Sequence, residues 1–116
     1  MKRTPINPES DRQKLRRAER RQLASPFEHE RCWVGTPVCT GWAEAWHELV
    51  GRAQLGSTVD PRNLCAACLR CNSYIEDNPT EARARGWKVP RHRAMEGVDG
   101  LVPAEPSPYA LSERWT

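Results

Sequence analysis

Cys65, Cys68 and Cys71 recur at every third residue, and Cys32 and Cys39 form a looser pair upstream with six residues between them. Four thiolates can close a tetrahedral zinc site, so two such knuckles joined by a hairpin can fix a small fold by metal instead of by apolar burial. The rest of the chain makes that route attractive. Of 116 residues 38% are hydrophobic, ten are proline and one is phenylalanine. Such a length is a prior for one domain with tails, and below about 80 ordered residues a single core seldom suffices. No apolar run approaches the roughly 18 residues of a membrane span, and the start MKRTPINPES lacks the apolar stretch of a secretory signal. The expectation is a cytoplasmic chain with no membrane contact, and in a reducing compartment closely spaced cysteines serve metals more often than disulfides. The odd count of five cysteines points the same way, with disulfides or a redox pair as the alternative.

Since two Cys-x-x-Cys units overlap between Cys65 and Cys71, one cysteine is left over. Cys65 follows Asn63-Leu64, where a strand begins, and reads as a small buried apolar residue. The expected zinc ligands are therefore Cys32, Cys39, Cys68 and Cys71.

Charge and composition divide the chain into three parts. Residues 1–23 hold eight Lys and Arg against three Asp and Glu, a pattern suited to non-specific attraction to nucleic acid phosphates. Ser10 or Asp11 can cap a helix running to about Leu23, with Arg16, Arg17 and Arg20 as candidate phosphate contacts, although the narrow stripe of Leu15, Ala18 and Leu23 fits a solvated helix equally well. The parts expected are a basic arm over 1–26, a folded unit over 27–93 that holds every cysteine, and an extended proline-containing tail over 94–116 able to dock through Tyr109, Leu111 or Trp115. Trp33, Trp42 and Trp46 are expected to cover the zinc knuckle in place of missing Leu and Phe.

Local patterns place the remaining elements. Alternation over Glu44 to Leu49 suits a short strand and Leu64 to Ala67 a second, with Gly51, Gly56, Ser57 and Pro61 turning the chain between them. A helix is expected just after Cys71, ending at Asn78-Pro79, with Thr80 capping a further short helix that stops at Gly86.

His47-Glu48, Arg52, the Gly-containing loop to Asp60-Pro61, Asn63, Cys68-x-x-Cys71 with Asn72 following, Asn78-Pro79 and the run from Ala82 to Trp87 stand in an order that resembles the HNH endonuclease family, in particular its small zinc-stabilised bacteriophage and actinobacterial versions. The resemblance covers about residues 30–90. It implies an α+β fold with a ββα-metal, treble-clef-like core, metal-dependent hydrolysis of DNA phosphodiester bonds with little sequence preference, and a bacteriophage setting with packaging proteins as further partners. Asn63 would support the loop beside the site, and Arg52 and Arg70 would hold the DNA backbone. A catalytic Mg²⁺ or Mn²⁺ would sit on His47, Asn72 and Glu76, the last two being four apart and so on one helix face.

Two departures bear on the chemistry. Register counted back from Arg52 puts Glu48, not a histidine, at the position of the general base, leaving His47 on the metal; the exchanged assignment is the alternative. Neighbouring strand residues also point to opposite faces, so the two can share one site only where the strand bends or ends. The rival function is a zinc-stabilised nucleic-acid-binding or assembly module without catalysis.

Overall fold

The computed structural model describes residues 30–115 and, in the N-terminal part, Leu15, which is helical and exposed. The expected basic helix, with Arg16, Arg17 and Arg20, otherwise lies outside the described residues. The architecture is small α+β with two antiparallel two-stranded sheets. No helix among the described residues is long and apolar enough to cross a membrane.

The first sheet joins β1 (Ala45–Glu48) to β2 (Leu64–Ala67), with Ala45 opposite Ala67, His47 opposite Cys65 and Glu48 opposite Leu64. Every residue of β2 is buried, so the hairpin has a core on each face. Cys65 and Ala67 pack with Val34, Leu49, Ile75, Ala82 and Trp87, whereas Leu64 and Ala66 pack with Ala43, Trp46 and Leu111. Alternation along the strand sends successive residues to these two cores, and the small Ala and Cys side chains let both approach closely. This arrangement corrects the expected tryptophan cover. Trp33 and Trp42 are 42% and 56% exposed, Trp46 belongs to the second core, and Trp87 lines the first.

A loop of buried polar contacts returns the chain from β1 to β2. Asn63 is fully buried; its Oδ1 accepts from the Val50 amide at 2.7 Å, and its Nδ2 donates to the carbonyls of Val50 at 3.0 Å and Ser57 at 2.7 Å. Gly56 closes the same turn by donating to the Gly51 carbonyl at 2.9 Å. A Cβ there would lie 1.7 Å from the Val50 carbonyl oxygen, so no other residue fits without moving the loop.

Helix α1 (Leu69–Asp77) starts inside the Cys68-x-x-Cys71 unit and not after it, because Cys68 is its N-cap and accepts from the Cys71 amide through Sγ at 3.3 Å. The cap that precedes α2 (Pro79–Ala84) is Asn78, not Thr80: Pro79 takes the first helical position, where its missing N–H costs nothing. Asn78 Nδ2 also donates to the Tyr74 carbonyl at 2.9 Å, tying off α1. Gly86, at φ 79°, then turns the chain so that Trp87 enters the first core.

The segment expected to be an extended tail folds. Strands β3 (Ala94–Gly97) and β4 (Gly100–Pro103) pair as a hairpin, and α3 (Leu111–Trp115) places Leu111 in the second core. The partners are distant in sequence, which is why no local periodicity announces them. Leu101 exchanges backbone hydrogen bonds with Leu55 and Ser57 at 2.8 and 2.9 Å. Asp60 binds both sides of this junction: Oδ1 accepts from the Arg62 amide at 3.0 Å, and Oδ2 accepts from Arg62 Nη2 at 2.7 Å and from the Val98 amide at 3.1 Å.

Burial alone would raise the Asp60 carboxyl, but the hydrogen bonds from Arg62 and Val98 and the Arg62 charge hold it below its ordinary value. A depressed carboxyl contributes stability that is present above its unfolded value, about 3.9, and is lost as pH falls through the folded value. Asp60→Ala should therefore cost about 1–3 kcal/mol at neutral pH, the range for unsatisfied buried donors. Hydrogen exchange should show the loss of protection centred on residues 97–101, with the amides of β1 and β2 less affected.

Candidate metal centre and the buried histidine

Thiol chemistry converges where the segment before β1 meets the start of α1. The sulfur atoms of Cys32, Cys39, Cys68 and Cys71 all lie within 4.8 Å of one another, and no disulfide joins any of the five cysteines. Zinc–sulfur bonds of about 2.3 Å in a tetrahedron put ligand sulfurs within about 4 Å of each other, so a small contraction suffices. These four residues could hold a metal ion such as zinc. Cys65 stands apart, fully buried in the first core.

Local backbone geometry builds the upstream half. The Cys39 amide donates to the Thr36 carbonyl and the Cys32 amide to the Gly41 carbonyl, each at 3.0 Å, which folds residues 32–41 back on themselves. The turn aims donors at sulfur: Gly41 N–H at Cys39 Sγ (3.3 Å) and Thr40 N–H at Cys68 Sγ (3.5 Å). Thr36 Oγ1 lies 3.1 Å from Cys71 Sγ. Donors of this kind spread the charge of thiolates, the form in which sulfur binds metal.

The thiols are not equivalent. Burial works to raise Cys68, but hydrogen bonds from Thr40 and Cys71 overcome it and bring the thiol down to about 6. Burial dominates at Cys71 and pushes it up to about 12, and burial also raises Cys39. One sulfur thus ionises readily while a neighbour keeps its proton, and full deprotonation of the set calls for a cation among them.

His47 shares a strand face with its partner Cys65, and Glu48 shares the opposite face with Leu64. His47 is only 4% exposed, and its Nε2 lies 2.6 Å from the Trp87 carbonyl oxygen. A carbonyl only accepts, so Nε2 carries the proton and Nδ1 keeps its lone pair. Burial lowers the His47 pKa against the opposing pull of the Trp87 carbonyl, and the Lys88 charge adds to the lowering. Glu48 and Glu76 act in the opposite sense, and the net direction favours the neutral ring.

Glu48 is engaged elsewhere, accepting from Arg52 Nε at 2.8 Å as an ion pair. The strand thus does not bend to bring Glu48 and His47 into one site. Asn72 and Glu76 lie on α1, flanking the buried Cys71 and Ile75. Glu76 is 68% exposed and pairs with Lys88 Nζ at 3.1 Å. Arg52 and Arg70 are exposed. Among the described residues the four cysteines form the one group of three or more His, Cys, Asp and Glu side chains placed to hold an ion. A cleft of about 280 Å³ opens beside Glu76 and Lys88, bounded by Gly51, Gln54, Arg83 and Pro90. Thr36, Thr40, the Trp87 carbonyl and Lys88 were not marked by the sequence. Only the two threonines carry a local hint, since both lie close to Cys39.

No protein-family model, curated protein or solved structure matches this chain.

Metal analysis should find about one tightly held ion per chain, the stoichiometry of a closed four-thiolate site. Cys71→Ser should release it and unfold the chain as followed by circular dichroism, because metal-binding energy is folding energy in such domains. Cys65→Ser should lower thermal stability yet retain the ion. Loss of the ion from Cys65→Ser, with retention in Cys71→Ser, would reassign the ligands.

Proposed function

We propose that the chain is a zinc-stabilised DNA endonuclease of the HNH type, in which β1, β2 and α1 form a ββα-metal unit and His47 is the general base. The observation that carries this reading is the hydrogen bond from His47 Nε2 to the Trp87 carbonyl. It favours the tautomer with Nδ1 unprotonated, and burial favours the neutral ring, the state a base needs in order to take a proton from water. The sequence register favoured Glu48 for this role. Its carboxylate, held by Arg52 on the other strand face, is better suited to fixing that guanidinium for phosphate contact.

Zinc is the natural occupant of the four-cysteine cluster, as a structural ion. Asn72 and Glu76 offer an oxygen-donor pair on one helix face for a catalytic Mg²⁺ or Mn²⁺, with Lys88 giving up its hold on Glu76. When bound, that ion supplies Lewis-acid stabilisation of the phosphate as the bond breaks. Asn63 keeps the loop after β1 closed and so holds the histidine-bearing strand in register. Exposed Arg52 and Arg70 contact phosphate without reading bases, which makes cutting weakly specific.

A second reading rests on one contact. Lys88 already places a cation on Glu76, as would suit a binding or assembly module that needs no second metal.

A plasmid-nicking assay with Mg²⁺ or Mn²⁺ separates them. His47→Ala should lower the rate by roughly 10²–10⁴, the contribution of a general base, with the structural metal and fold retained. Glu48→Gln should act mainly on DNA affinity. The rate should rise with pH through a pKa below the ordinary histidine value of about 6.5, since the base works deprotonated and burial depresses it. Wild-type protein that binds DNA but shows no cleavage with any divalent ion would support the binding module instead.

A further inference from the structure

Between Glu81 and Glu96 the chain carries Arg83, Arg85, Lys88, Arg91 and Arg93, with His92, and no carboxylate. This second basic stretch lies within the described residues, and the fold places Arg83, Lys88 and Arg93 of it along a trough made of two adjoining clefts. Two clefts, of about 360 and 280 Å³, share Arg83, Lys88, Val89 and Pro90. The smaller reaches Glu76; the larger runs on to Arg93 and is closed on its far side by the segment from Pro103 to Pro108.

We infer that this trough is a track for the phosphate backbone of a nucleic acid strand, leading it to the Glu76 end of the candidate site. The inference rests on the nuclease reading above for its direction, but its own support is the charge and shape of the trough. Cations stand among walls rich in proline, which has no backbone donor with which to read base edges. Such a surface attracts a repeating anion through charge and does not select sequence.

Two carboxylates line the path, and neither closes it. Glu105 lies 3.8 Å from Arg93, and both side chains are well exposed, so the pair is weak and open to exchange for phosphate. Glu76 holds Lys88 at the site end. Arg83, which lines both clefts, makes no ion pair with a described carboxylate.

The test compares wild type, Arg83→Gln/Arg93→Gln and Arg31→Gln, the last lying outside the trough. Binding to a fluorescein-labelled duplex of about 20 base pairs, and to its single strand, is measured against sodium chloride concentration without added divalent ion. Each phosphate contact contributes about 0.9 to the slope of log affinity against log salt for duplex and about 0.7 for single strands. The double variant should therefore lose between about one and two units of slope, at unchanged circular dichroism and metal content, while Arg31→Gln keeps the wild-type slope. An unchanged slope in the double variant, or an equal loss in Arg31→Gln, would overturn the inference. Nicking by wild type alongside an unchanged slope would remove the trough and leave the nuclease standing. A lost slope in a protein that never nicks would keep the trough and remove the nuclease.

Discussion

Segment 32–41, the hairpin and α1 meet at a quartet of sulfur atoms, and the remaining structure leans on that junction. Cys68 is at once a member of the quartet and the N-cap of α1, so the group that could bind metal also sets where the helix begins. The first core is built around the same place, with Cys68, Cys71, Val34 and Ile75 in one cluster. A chain with so few large apolar side chains gains little from burial alone. Metal at this point would supply the missing cohesion and would link the order of the core directly to ion binding.

The hairpin carries consequences in both directions from there. Because β2 is buried on both faces, a one-residue slip would move His47 out of the first core and bring Glu48 into it. Asn63 guards against that slip by holding Val50 and Ser57 through buried bonds. Trp87 in turn packs into the first core and presents its carbonyl to His47. The protonation pattern of one imidazole thus depends on packing 40 residues further along the chain.

What could be read from sequence was local. Spacing picked out the cysteine clusters, the strand beginning at Asn63-Leu64 set Cys65 aside, and local patterning located β1 and β2, since these are questions of neighbours in the chain. The folded C-terminal hairpin was missed because Asp60, Leu55 and Ser57 supply its bonds from some 40 residues away. The tryptophans were misplaced for a related reason: hydrophobicity says that a ring prefers burial, but not which of two cores has room for it. Trp33 instead donates from Nε1 to Glu30 at 2.6 Å near the surface. Opposed strand faces were foreseen as a difficulty for a joint His47–Glu48 site, and only the pairing of Glu48 with Arg52 shows how the chain disposes of it.

The chemical proposal depends on His47 being neutral with its proton on Nε2. Long-range ¹H–¹⁵N correlation NMR of the metal-loaded protein reads this state from the imidazole nitrogens directly. The account predicts a neutral Nε2–H tautomer for His47 at pH 7, with titration to the cation only below the ordinary histidine range. A proton on Nδ1, or a doubly protonated ring at pH 7, would contradict it.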